Sequence, residues 1–160
     1  SLALGLAAAL LCMLLGAGII WASWYHKKST ASAKVPRGLI AMVFTDIQDS
    51  TELWETDATH MRLMLMETDK FMRMLLDKYK GYEVKTEGDS FFVTFSNPDN
   101  AIQWALDVQS KLLELDWPMG SDMMGSKSCQ PVAKHDSAKM LWNGFRMRCG
   151  IHVGKPEVIF

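Results

Sequence analysis

The pattern of apolar and polar positions changes character near residue 25. From Leu2 to Trp24 no side chain is charged and only Ser23 is polar. A helix of that length runs roughly 34 Å, enough to cross a hydrocarbon core of about 30 Å. Trp21, Trp24 and Tyr25 gather at its C-terminal end, where an aromatic belt would lie, and His26, Lys27, Lys28, Lys34 and Arg37 follow. That basic flank places the C-terminal side in the cytoplasm. A signal peptide is the other reading that Ala7-Ala8-Ala9 invites, but the run is too long and no basic segment precedes it. Residues 1–25 are therefore predicted to form a single transmembrane helix, and 26–38 a juxtamembrane linker.

Beyond residue 38 the periods become those of a globular domain. Leu39 to Thr45 is a near-continuous apolar run, as expected of a buried central strand. Asp49 followed by Glu52 reads as a capping box that opens a helix through Trp54. A longer helix is predicted from about Thr59 to Tyr79, with Leu63, Met64, Met66, Phe71, Met74, Leu75 and Tyr79 among its apolar positions and Gly81 ending it. Its many methionines read as core. Tyr82–Lys85 and Ser90–Phe95 form a hairpin about Glu87-Gly88-Asp89. Pro98 opens a helix to about Leu115, with Ala101, Ile102, Ala105, Leu106, Val108, Leu112 and Leu113 facing inward. Residues 116–143 hold no sustained period and read as a surface insertion. Phe145 to Val153 alternates with Arg146, Arg148 and His152, a strand with a charged face. The order β-α-α-β-β-α-β is that of an α+β domain, the opening of a ferredoxin-like split βαβ fold.

Composition changes this picture little. The formal net charge of −1 points neither to nor away from nucleic acid, and no nucleic-acid partner is expected. Cys12, Cys129 and Cys149 have no zinc spacing and are expected to stay thiols in a cytosolic domain. His60 and His135 are expected in solvent, His152 as a packing or hydrogen-bonding residue, and Trp104, Trp117 and Trp142 as anchors for helix ends and the insertion. The chain starts at Ser1 and stops within the apolar run Val158-Ile159-Phe160, so it is expected to be a piece of a longer protein, with a sensor part ahead of it.

The candidate chemistry lies in two carboxylates. Asp46 and Asp89 each sit where an apolar run meets a turn, so each projects an acid from the rim of a sheet. Hard divalent metals suit such oxygens, and two metals suit chemistry on a polyphosphate. Either aspartate alone is more often a helix cap or a turn residue. Their surroundings are more specific: Phe44-Thr45-Asp46-Ile47 before Ser50-Thr51 and Leu53-Trp54-Glu55; Gly81-Tyr82-Glu83-Val84-Lys85-Thr86-Glu87-Gly88-Asp89; Leu115-Asp116-Trp117-Pro118; and Arg148-x-Gly150-Ile151-His152-x-Gly154. In this order they resemble the catalytic domain of class III nucleotide cyclases, and most closely the adenylate cyclases of protists and fungi, over about residues 36–157.

The resemblance implies a site, position by position. Asp46 and Asp89, with the Ile47 carbonyl, match the ligands of two Mg²⁺ or Mn²⁺ ions. Ser50 and Thr51 match the phosphate-contacting positions, and Arg148 a basic residue facing the phosphates. Lys85 matches the residue that reads the base. It is lysine in adenylate and glutamate in guanylate cyclases of this family, and a lysine donor suits adenine N1. ATP is thus the expected substrate, with guanylate cyclase the near alternative and an inactive regulatory or dimerisation module the distant one. The resemblance also implies a head-to-tail homodimer, Lys85 of one copy serving the metals of the other. It places a further Asp, an Asn and an Arg of the reaction after Phe160, so residues 1–160 alone are expected to be inactive.

Overall fold

The computed structural model describes residues 35–135 and 139–156. The predicted transmembrane run and most of the linker lie outside them. Among the described residues no helix is long and apolar enough to cross a membrane.

Strand β1 (Ile40–Ile47) is followed by helices α1 (Ser50–Thr56) and α2 (Ala58–Lys78), then by β2 (Tyr82–Glu87) and β3 (Ser90–Phe95). Helix α3 (Pro98–Lys111) runs into a 3₁₀ turn at Leu112–Glu114. The short helix α4 (Ser121–Gly125) and strands β4 (Val132–Ala133) and β5 (Met140–Trp142) precede β6 (Met147–Gly154). The strands β2-β3-β1-β6 form one antiparallel sheet. The predicted α+β order holds, with α4 and the β4–β5 ribbon added inside the insertion.

Alternation along β1 decides the layers. Ala41, Val43, Thr45 and Ile47 point into a core shared with Met61, Met64, Met72 and Leu75 of α2 and with Trp104 and Val108 of α3. Met42, Phe44 and Asp46 point the other way, and Phe44 is 56% exposed. The expected buried central strand lies inside the sheet, and the described helices cover one of its faces.

Three local readings change. On α3 the inward face is Ala101, Trp104, Ala105 and Val108, continued by Leu112 of the 3₁₀ turn, while Ile102 and Leu106 are exposed. Trp104 is a core residue, tilted against Phe95 at 5.8 Å between ring centroids. So large a ring turns the helix about its axis until it faces the sheet. On α2, Leu63, Met66 and Met74 lie outside and Met61, Met72 and Leu76 inside. At the end of α2 the left-handed residue is Lys80 (φ 55°). Gly81 serves a different purpose: a Cβ there would come within 2.3 Å of Leu76 Cδ1 and 2.5 Å of Phe95 Cε1.

Residues 116–143 are more than a surface loop. Trp117 packs on Phe145 at 5.2 Å between centroids, and Met123 and Cys129 are fully buried. Gly144, at φ 74°, lets Trp117 lie over its backbone. Trp142 stays on the outside, under the Arg146 guanidinium. Apolar anchors spaced singly leave no period to read. His60, expected in solvent, is tied to the start of α2: Asp57 accepts from its backbone N–H at 3.0 Å and pairs with Nδ1 at 2.6 Å. His152 is exposed on β6 rather than packed.

Candidate active site

The rim at the end of β1 gathers most of the expected residues. Asp46 lies directly opposite Arg148 in the β1–β6 ladder, and the two form an ion pair on the open face of the sheet. Asp89 arrives from the β2–β3 turn. Gly88 takes φ 60° there, a value that glycine holds without strain. Two hydrogen bonds bring this turn to β1. Ile47 N–H donates to Asp89 Oδ2 at 3.3 Å, and Phe91 N–H donates to the buried Thr45 hydroxyl at 3.2 Å. Asp46, Ile47, Ser50, Thr51 and Arg148 line an open cleft of about 680 Å³.

The donor set fits a hard divalent cation. Asp46 and the Ile47 carbonyl, at the end of β1, and Asp89, from the β2–β3 turn, supply oxygen only. Among the described residues no group of three or more His, Cys, Asp or Glu side chains forms a closed ligand cage. Mg²⁺ commonly binds through one or two carboxylates and completes its shell with water and substrate phosphate oxygens.

The capping box expected at Asp49 is absent. Asp49 precedes α1 with a left-handed backbone (φ 55°, ψ 30°) and makes no side-chain cap. Its Oδ2 accepts from the Ser128 hydroxyl at 2.5 Å and from Gln48 Nε2 at 3.2 Å. The Ser128 hydroxyl, then Gln48, hold the Asp49 carboxyl below its ordinary pKa.

Lys85 stands apart from the cleft. It faces Phe92 across β2–β3, and Phe92 faces Phe44 across β3–β1. Directly opposed residues share a face, so Lys85 is on the same open surface as Asp46 and Arg148. Two strand spacings of about 4.8 Å separate β2 from β1, and the stacked rings of Phe44 and Phe92, 4.2 Å apart, fill the gap. Lys85 Nζ instead meets Glu87 Oε2 at 2.7 Å.

The profile of the adenylate and guanylate cyclase catalytic domain matches residues 33–158. The chain belongs to this family. An adenylate cyclase of Podospora anserina is 45% identical over 126 residues, which cover 79% of this chain and 6% of the relative. A receptor-type adenylate cyclase of Trypanosoma brucei brucei is 33% identical over 146 residues, covering 82% and 12%. Among solved structures, an adenylate cyclase from Trypanosoma brucei in its monomeric state superposes with a TM-score of 0.65 at 32% identity, over 81% of this chain and 63% of that one. A GTP-bound guanylate cyclase domain from Catenaria anguillulae shares the fold, with a TM-score of 0.54 at 18% identity, over 72% of this chain and 56% of that one. The chain thus spans a small part of the curated relatives' full length.

Three further acids line the wall of the cleft: Asp49, Glu52 and Glu55. Reasoning from the sequence gave Asp49 and Glu52 to helix capping and left Glu55 as part of a motif. Helical spacing could have found Glu52 and Glu55, which are three apart and so share the face of α1 that carries Thr51. Nothing in the sequence marks Ser128, whose partner is 79 positions away.

Proposed function

We propose that the protein is a membrane-anchored adenylate cyclase, converting ATP to 3′,5′-cyclic AMP and pyrophosphate at the interface of a head-to-tail homodimer. One observation carries the reading: Asp46 and Arg148 pair at one rim of an open sheet face, with Asp89 bonded to the Ile47 N–H at that rim, while Lys85 lies on the same face two strands away. Lys85 lines no part of its own chain's metal-side cleft, and the stacked Phe44–Phe92 rings lie between the two. A second copy laid against the exposed Phe44–Phe92 plate would bring its Lys85 to that cleft.

Each residue then has a task. Asp46 and Asp89, with the Ile47 carbonyl, would hold two divalent ions, which lower the pKa of the ATP 3′-hydroxyl and neutralise the triphosphate. The new bond joins O3′ to the α-phosphorus, and the bond to pyrophosphate breaks. Arg148 turns from Asp46 to the phosphates, a charge held at any relevant pH. Ser50 and Thr51 offer hydroxyls to the terminal phosphates. Lys85 leaves Glu87 to donate to adenine N1, where guanine would present a hydrogen. The apolar run Leu2–Trp24 with its basic flank supplies the anchor, in keeping with the receptor-type naming of the trypanosome relative.

The test is cyclic nucleotide formation by the intact protein with Mg²⁺ or Mn²⁺, on ATP and on GTP. Cyclic AMP that falls about a thousandfold in Asp46→Ala supports two-metal chemistry, and ATP use that drops in Lys85→Glu supports the base assignment. No product from either nucleotide, in a folded dimer, would leave a membrane-tethered regulatory module in its place.

A further inference from the structure

Among the described residues of the insertion, Ser128 bonds to a residue of the cleft wall, Asp49. Ser128 is 5% exposed, and its hydroxyl donates to Asp49 Oδ2 at 2.5 Å. The segment around it is firmly seated. Cys129 is buried beside Met119, with sulfur atoms 3.5 Å apart, and Gly120 lies against the His60 ring, where a Cβ would come within 2.7 Å of Nδ1. Asp49, at the other end of the bond, sits between Asp46 and Ile47 on one side and Ser50 and Thr51 on the other. Its left-handed backbone is one that a non-glycine residue keeps when its surroundings fix it.

We propose that Ser128 is a positioning residue for the cyclase reaction: its hydrogen bond to Asp49 fixes the turn joining the metal-side residues to Ser50 and Thr51, and so sets the affinity of the cleft for its triphosphate. The inference rests on the cyclase reading and gives the insertion a part in it. An aspartate just ahead of a helix ordinarily folds its carboxylate back onto the backbone N–H groups two or three residues on. Here Ser128 and Gln48 hold that carboxylate away. Released from Ser128, it is held by Gln48 alone and is free to swing toward Ser50 and Thr51 along the wall they share. The triphosphate must lie on that side, and like charges at such spacing repel. The loss then falls on nucleotide binding and leaves the chemical step alone.

The experiment compares the intact wild-type protein with Ser128→Ala, Asp49→Ala and the double variant. It follows KM for ATP against kcat, together with the affinity for a non-hydrolysable ATP analogue. Ser128→Ala is expected to raise KM and the analogue Kd about fivefold, the size of one lost hydrogen bond, with kcat within about twofold. Added to Asp49→Ala, it is expected to change nothing further, because its action passes through Asp49. A KM that Ser128→Ala leaves unmoved, or a rise that persists undiminished without Asp49, overturns the role of Ser128 and leaves the cyclase reading standing. A wild-type protein that binds neither ATP nor the analogue overturns both.

Discussion

The two faces of one sheet have different occupations. On the helix side, Ala41, Val43 and Ile47 of β1 and Phe91, Val93 and Phe95 of β3 are each no more than 2% exposed. On the open side the same strands carry Met42, Phe44 and Asp46, and Phe92, with Arg148 on β6 and Lys85 on β2. Period-two alternation sends successive residues to opposite faces, so one strand such as β1 serves both. The covered face holds the fold together. Every side chain that the cyclase reading assigns to a sheet strand lies on the open one. Stability and activity are thereby separable by substitution.

The largest effect should come from splitting the proposed site between two chains. Asp46→Ala and Lys85→Ala are each expected to abolish cyclic AMP formation alone. Mixed, they should recover about a quarter of wild-type activity, since half of the dimers are mixed and one of the two sites in each is intact. The measurement is activity of the co-expressed intact proteins against each variant alone. Mixtures as inactive as their components would break the dimeric site.

Next come substitutions that set one face against the other. Phe95→Ala removes a fully buried ring that touches Trp104 and Gly81 and should cost about 3–5 kcal/mol in thermal or denaturant unfolding. Phe44→Ser, on a ring already half in water, should change stability by about 1 kcal/mol or less. Its effect should appear as weaker self-association in sedimentation. Equal losses of stability from the two would mean that the open face is covered within a single chain.

Sequence reasoning succeeded where a period or a contiguous motif existed. The four strands of the main sheet, the two long helices and the Gly88 hairpin followed from alternation, helical spacing and turn chemistry. Asp46, Asp89, Arg148, Ser50 and Thr51 are expected from short motifs; Asp46, Arg148, Ser50 and Thr51 line one cleft, and Asp89 bonds to the Ile47 N–H beside it. What failed depended on distant partners. Ile102 and Leu106 looked inward-facing until Trp104 took that direction. Asp49 looked like a cap until Ser128, far along the chain, claimed its carboxylate. The anchors Trp117, Met123 and Cys129 carry no period because each meets the core once. Burial pushes the Cys129 thiol up to about 11, so it should react with alkylating agents at pH 8 far more slowly than a free thiol.

The smallest effect tests how far the edge strand β2 is held by charge. Arg73 of α2 reaches Glu83 through two hydrogen bonds of 2.9 Å, and Asp69 through one of 2.8 Å, with its guanidinium over the Phe91 ring. The Arg73 hydrogen bonds hold the Glu83 carboxyl below its ordinary pKa of 4.5, against a smaller opposing push from burial. A carboxyl depressed in the folded state stabilises above its unfolded pKa, and that stability fades as pH falls through the folded value. Both side chains are about a third or more exposed, so screening limits the pair to about 1 kcal/mol at neutral pH. Glu83→Gln should therefore lower the melting temperature by a few degrees at pH 7. The gap to wild type should narrow steadily as pH drops below the ordinary glutamate range. Paired melts across that range also separate Glu83 from Asp107, whose carboxyl Lys111, Lys78 and Tyr79 depress in both proteins alike. A gap that stays constant to low pH would show that Glu83 holds β2 by packing, and that charge has no part in it.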